Sequence, residues 1–315
     1  MSEICIEFNN VSKSYKDLLA LDHISFTIQK GDIFGYIGPN GAGKTTTIKI
    51  IVGLITDFEG KVSIFGNNVP INRKNLHNLI GYHPQEAGFQ EWRTIDHAFK
   101  SFGRLSGLKS NHLENRIIEI LDLIGLTDFR YKKIVHLSGG MLQKLRLGQA
   151  LLHQPKILVL DEPLSGLDPT SRFQFKGVIK ELAKKGITIL FSSHILNDVQ
   201  DIANKIGILN EGKIMKIGSP EELQSSFHIG NLIEITVAEN TLLCEGLEDL
   251  DEVDQVEKIK DNKQLIFLKS NIDIDICISK IMNAVLEQRC RVRSLTLLNP
   301  SLEEVYLKYV GGGFK

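Results

Sequence analysis

The stretch GPNGAGKTT, Gly38 to Thr46, gathers glycines, one lysine and a pair of threonines into a single turn. Apolar IFGYI precedes it and helically spaced KTTTIKIIVGL follows it. A strand, a glycine turn and a helix in that order make a phosphate cradle. Backbone N–H groups face the oxygens, and the positive end of the helix dipole adds to them. Gly38, Gly41 and Gly43 let the backbone curl, with Pro39, Asn40 and Ala42 between them. Lys44 reaches the terminal phosphates and the Thr45 hydroxyl can ligate magnesium. Every residue from Gly38 to Thr46 is therefore a candidate contact for a nucleotide.

KILVLDEP supplies a second piece of chemistry: Asp161 and Glu162 end an apolar strand. Asp161 there can hold magnesium through water, and Glu162 can polarise an attacking water, a role that contributes roughly a hundred- to ten-thousand-fold in rate. The same pair also suits a solvated loop or a helix cap. A third piece is HLSGGMLQKLRLGQA, His136 to Ala150, another glycine turn opening a helix but with no lysine where the first turn has one. It too offers amides and a dipole end to an anion, or merely a helix capped by Ser138.

The elements that position these pieces alternate. CIEFNNVSKSY and HISFTIQKGD read as strands of a small sheet, and GKVSIFG as another strand. From Thr94 to about Leu152 the pattern is mostly helical; in ENRIIEILDLIGL, spacing puts Ile117, Ile118, Leu121 and Ile124 on one face. ITILFSSH reads as a buried strand, and DPTSRFQFKGVIKELAKKG as a helix with Pro169 in its first turn and Gly186 at its stop. IGILNEGKIMKIG reads as a hairpin turning at Glu211 and Gly212, followed by SPEE, Ser219 to Glu222, a capping box. Strands alternating with helices predict an α/β domain with a mostly parallel sheet. Near Gly230 the texture changes to short strands interleaved with helices at DICISKIMNAVLEQ and SLEEVYLKYV, and GGGFK reads as a frayed tail.

The chain has 315 residues, 42% hydrophobic and 24% charged, with a net charge of −1. That size allows two domains, and the neutral balance gives no pull towards nucleic acid. Cys5, Cys244, Cys277 and Cys290 show no metal-ligand spacing, which suits a reduced cytosolic compartment. No basic region followed by an apolar stretch marks a signal peptide, and no apolar run approaches the ~18 residues of a membrane span.

Taken as a set, the motifs resemble those of the nucleotide-binding subunit of an ATP-binding cassette (ABC) transporter, over about residues 3 to 225. Leu137, Ser138, Gly139, Gly140 and Gln143 match the family's signature, although Met141 and Leu142 make its middle more apolar than the commonest versions. Leu164 stands where many relatives have threonine. The resemblance implies a P-loop NTPase core with an N-terminal antiparallel β subdomain and an inserted helical subdomain (94–152). The cassette then spans 1–228, with a small C-terminal α+β domain at 229–315. It implies ATP and Mg2+ as the bound species and a second nucleotide-binding subunit, most simply a second copy. Each nucleotide lies between one subunit's P-loop and the other's signature turn, where Ser138 and the amides of Gly139 and Gly140 grip the γ-phosphate.

The resemblance also assigns single residues. Gln85 in GYHPQE matches the glutamine that touches magnesium and the attacking water. His194 in SSHIL matches the switch histidine at the γ-phosphate. Asp168 in SGLDP matches the loop between the two sites, and it equally suits an N-cap for the helix at Pro169. Tyr15 matches the aromatic on which adenine stacks, though a strand tyrosine also suits a core. A separate integral membrane permease is the implied partner, met through the helical subdomain and Gln85 to Trp92, with Phe89 and Trp92 exposed or in local core. The subunit is then cytoplasmic, peripheral on the inner face of the membrane, and of the drug, sodium and antibiotic efflux type. A soluble cassette ATPase acting on nucleic acid or ribosomes is the competing reading. It is disfavoured by the single cassette and by a stretch between the two glycine turns with room only for the helical subdomain.

Overall fold

Alternating and continuous apolar runs divide the strands of the N-terminal part into two kinds, and each kind builds its own sheet. The computed structural model describes residues 3–16, 18–69, 73–86, 88–225, 232–238, 246–260, 262–269, 272–288 and 290–298, with 303, 306, 309 and 310. The chain divides into two compact units, Met1–Pro220 with Tyr306–Lys315, and Glu221–Val305.

In the first unit, β1 (Ile4–Tyr15) and β2 (Leu18–Gln29) pair antiparallel, and β2 buries alternate side chains. β3 (Ile33–Ile37) buries all of its residues, as a strand covered on both faces must. After α1 (Lys44–Ile51), β4 (Glu59–Ile64) returns to pair with β1, and β5 (Asn67–Val69) extends that antiparallel sheet to the order β2-β1-β4-β5. Rings from both sheets meet: Phe26 stacks on Phe8 at 4.6 Å and lies 5.7 Å from Phe34 and 5.8 Å from Tyr36. α2 (Arg73–Leu79) leads into β6 (Ile80–His83), a strand too short for its periodicity to announce.

The helical stretch holds α3 (Ile95–Leu105), α4 (Ser110–Leu123) and α5 (Gly139–Leu151). Thr94 caps α3 by accepting from His97 N–H, and Arg130 ties the stretch together by donating to Asp96 at 2.8 and 2.6 Å and to Glu114. One expectation for α4 is corrected. Ile117, Leu121 and Ile124 are buried, but Ile118 is 49% exposed, and Leu113 and Ile120 take its place in the core. Residues 117 and 118 stand about 100° apart on a helix, so a face centred on 117, 120 and 121 turns 118 outward.

β7 (Ile157–Leu160) is wholly buried; α6 (Pro169–Lys184), β8 (Thr188–Ser193), α7 (Leu196–Gln200), β9 (Lys205–Asn210) and β10 (Lys213–Gly218) complete the unit. The hairpin turns at Glu211 and Gly212, with φ of 47° and 76°. The second sheet has the order β10-β9-β3-β8-β7-β6 and is parallel apart from its β10 edge. β3, β8 and β7 are thus parallel neighbours, and the loops that follow them leave the sheet at the same edge. That is the edge at which ligands bind in open α/β sheets.

The second unit follows the start of α8 (Pro220–Ser225), ahead of the change in texture near Gly230; residues 226–231 lie outside the described ones. β11 (Leu232–Val237), β12 (Val253–Lys260), β13 (Lys263–Leu268), α9 (Ile274–Glu287) and β14 (Val292–Leu298) form an antiparallel sheet of order β12-β13-β11-β14 with a helix. Ile233, Ile235 and Ile266 share a core with Cys277, Ile281 and Val285 of α9. Most of SLEEVYLKYV, and the GGGFK tail, lie outside the described residues. Among the described residues no helix is long and apolar enough to cross a membrane.

Candidate functional site

The turn after β3 is wound tightly about one lysine. A Cβ on Gly38 would lie 2.3 Å from the Leu209 carbonyl oxygen, so β9 leaves room for glycine alone. Gly43 has φ of +107°, in the region that only glycine visits without strain. Lys44 is 6% exposed, and its ammonium donates to the carbonyls of Gly38 at 2.7 Å and Pro39 at 3.1 Å. It also stands 3.5 Å from Glu162 Oε1. A buried ammonium needs such partners to offset its lost hydration.

The acidic pair leaves β7 beside this turn. Asp161 N–H donates to the His83 carbonyl at 2.9 Å. Its Oδ1 accepts from the Ser192 hydroxyl at 2.7 Å and the Thr45 hydroxyl at 3.3 Å. Burial holds the Asp161 carboxyl above the usual carboxylate range. The two hydroxyls and Lys44 act the other way, and Glu162 adds to the rise. Glu162 has φ of 48°, a strained conformation for a residue with a side chain. Its N–H donates to Ser192 Oγ at 2.8 Å, and its Oε2 lies 2.8 Å from His194 Nδ1. One hydroxyl, Ser192, therefore fixes the backbone of Glu162 and the carboxylate of Asp161 together. Sequence reasoning missed Ser192; a serine pair ending a wholly buried strand is the signal that points to it.

The other glycine turn is arranged differently. Ser138 is exposed and caps α5, its hydroxyl accepting from Met141 N–H at 3.3 Å. Gly139 is exposed with open space where a Cβ would stand, whereas a Cβ on Gly140 would meet Ser171 Oγ at 2.4 Å. Ser171 N–H also donates to Asp168 Oδ1 at 3.0 Å, which makes Asp168 the N-cap of α6, and hydrogen bonds from the Ser171 side chain and backbone hold its carboxyl below the usual range. Ser138, Gly139, Gly140 and Asp168 thus lie around the start of α6. No hydrogen bond or ion pair joins them to Lys44, Asp161 or Glu162 among the described residues. Gln143 sits one turn further on, its amide oxygen buried without a partner among the described residues.

Gln85 lies exposed two residues beyond the end of β6, the strand beside β7. Tyr15 ends β1 and is 43% exposed, so it is not a core residue. Phe89 is half-buried and meets Phe102 edge-on at 5.9 Å, while Trp92 is 63% exposed. Near them a hollow of about 650 Å³ opens between β6, the end of α3 and α5, lined by Tyr82, Phe102, Leu105 and Gln149 among others. His83, also missed from sequence, is fully buried with neither ring nitrogen partnered among the described residues. Burial pushes it down to about 4, and its ring meets Phe175 of α6 edge-on at 6.2 Å.

Comparison with known proteins gives a consistent set of likenesses. A family model described as ABC transporter matches residues 21–165. An uncharacterized ABC transporter ATP-binding protein of Bacillus subtilis is 35% identical, over 97% of this chain and 99% of its own length. The linearmycin resistance ATP-binding protein of the same organism is 30% identical, over 97% of this chain and 98% of its own. Among solved structures, a nucleotide-free ATP-binding cassette from an ABC transporter superposes with a TM-score of 0.64 at 26% identity, covering 70% of this chain and 94% of that one.

Proposed function

Because the chain belongs to the ABC transporter family, as one of its ATP-binding, ATP-hydrolysing subunits, we propose that its two glycine turns are halves of a site that a second copy completes. The turn Gly38 to Thr46 receives the triphosphate, and Lys44 trades the carbonyls of Gly38 and Pro39 for the terminal phosphate oxygens. The Thr45 hydroxyl and the Asp161 carboxylate, 3.3 Å apart, offer the hard oxygens that magnesium takes, with Gln85 at the neighbouring strand end. Bound there, magnesium neutralises charge on the phosphates. Glu162 takes a proton from the attacking water, and His194, hydrogen-bonded to Glu162, faces the γ-phosphate. From the second copy, Ser138 and the amides of Gly139 and Gly140 cover the γ-phosphate. Two bound ATP molecules close the pair and hydrolysis reopens it. The docked permease follows by population shift.

The single observation that carries this reading is the contrast in charge. The first turn encloses Lys44 with Asp161, Glu162 and His194 about it, while Ser138 and Gly139 of the second are exposed and, among the described residues, no ion pair or hydrogen bond brings a cation to them. The hollow beside Tyr82 and Phe102 supports docking of a permease segment, and with it a peripheral place on the inner face of the membrane. The resistance role in one relative's name supports export over import.

Glu162→Gln tests the scheme directly. It should nearly abolish turnover and leave an ATP-stabilised dimer on gel filtration. A variant that stays monomeric with saturating ATP would count against a shared site.

A further inference from the structure

Lys13 has no part in the chemistry above, yet it is 7% exposed, an unusual place for a lysine. Its stem runs within β1, two residues from Tyr15. Its ammonium is fixed by Asp57 at 2.6 Å and lies 4.9 Å from the centroid of the Tyr15 ring. Asp57 is itself 83% exposed. The carboxylate is the solvated member of the pair and the ammonium the buried one, so the pair fixes a cation in place over the Tyr15 ring. The ring remains 43% exposed.

This end of the β1–β2 hairpin stands beside the phosphate turn. Tyr15 pairs with Leu18, and Lys13 pairs with Leu21. A Cβ on Gly43 would lie 2.6 Å from the Ala20 carbonyl oxygen and 2.7 Å from Leu21 Cδ2. A nucleotide whose phosphates fill the turn therefore carries its base towards Tyr15.

We propose that Lys13, locked by Asp57, is a positioning residue for the nucleobase: it fixes the Tyr15 ring from one face so that adenine stacks on the other. The proposal rests on the reading of Tyr15 as the adenine-stacking residue. The ammonium draws ring density towards itself, orients the ring without closing its open face, and adds its field to the stack. Base affinity, not phosphate affinity, is what Lys13 contributes.

The test is isothermal titration of the full chain with ATP and, separately, with inorganic tripolyphosphate, which has no base. Lys13→Met keeps the stem and removes the charge, and Asp57 stays solvated when its partner is lost. The variant should bind ATP about two- to tenfold more weakly, the range of a partly desolvated cation–π contact, while its tripolyphosphate affinity is unchanged. Lys13→Arg should restore most of the loss. In a Tyr15→Leu background the Lys13→Met effect should vanish. Equal loss for both ligands, no loss for either, or the same loss with and without Tyr15 would each overturn the proposal. If Lys13→Met does not fold, Asp57→Asn, which frees the ammonium from the carboxylate that fixes it, carries the same comparison. If Tyr15→Leu alone leaves ATP affinity untouched, it is the stacking reading that fails, and this is seen separately from any effect at Lys13.

Discussion

The two glycine turns use one backbone device to opposite ends. At Gly38 the chain closes on itself: the Leu209 carbonyl fills the space of a side chain, and a buried lysine pins the loop's own carbonyls. At Gly139 the chain is open, with nothing within 4 Å of a notional Cβ and an exposed serine before it. Both present a helix N-terminus. Only the first brings a cation, a hydroxyl and two carboxylates to it. On the proposed reading the open turn is the half that waits for another surface, and the closed one the half that holds the nucleotide first.

The sharpest way to break this comparison is one methyl group at each turn. Gly38→Ala drives a Cβ into the backbone of β9, so both thermal midpoint and ATP binding should fall steeply in a melting and titration series. Gly139→Ala meets nothing within its own chain. At the first turn of α5 alanine should leave stability unchanged or raise it by up to ~1 kcal/mol. Monomer ATP binding should stay within twofold, yet turnover should drop at least tenfold, because the obstruction exists only against the partner's nucleotide. Full turnover in Gly139→Ala would place the second turn outside the site.

Ser192→Ala comes next in size. It removes a donor from buried Asp161 and an acceptor from the Glu162 N–H together. Losses of ~1–3 kcal/mol for an unsatisfied buried group, if felt at the transition state, predict a turnover rate lower by roughly five- to 150-fold, with ATP affinity little changed. A variant that loses affinity and keeps turnover would show that Ser192 serves binding instead.

The smallest expected effect is a gain. Burial raises the Asp161 carboxyl above its usual range, so the folded chain holds that proton more tightly than the unfolded chain does. The stabilising proton is present at low pH and is lost as pH climbs through the raised value; at neutral pH the bare carboxylate is a cost. Asp161→Asn should therefore raise the nucleotide-free melting midpoint at pH 7, by roughly 2–4 °C per kcal/mol for a domain of this size. The gain should shrink as pH falls towards the ordinary carboxylate range. A lower midpoint at pH 7 would mean that Ser192 and Thr45 stabilise the charge more than burial penalises it.

The glycine turns, the acidic pair and the strands carrying them are legible in the sequence because their signals are local. A strand of continuous apolar residues, a turn and a helix start announce themselves within about ten positions, and their alternation predicts a mostly parallel sheet. Ser192 is not legible in this way. Its role is set by Asp161, 31 residues away, across the β7–β8 pairing. β6 spans four residues, less than a full test of period. Ile118 misleads because a helix in a small bundle can turn either of two adjacent isoleucines inward, and α3 and α5 make the choice. The positive φ of Glu162 is not visible in its own type.

The dependence of ATPase turnover on protein concentration tests the shared site most directly. Measured on the full chain at saturating ATP and magnesium over several decades of dilution, turnover per molecule should rise with concentration and level off as pairs fill. Turnover per molecule that stays constant down to concentrations at which gel filtration shows only single chains would contradict it.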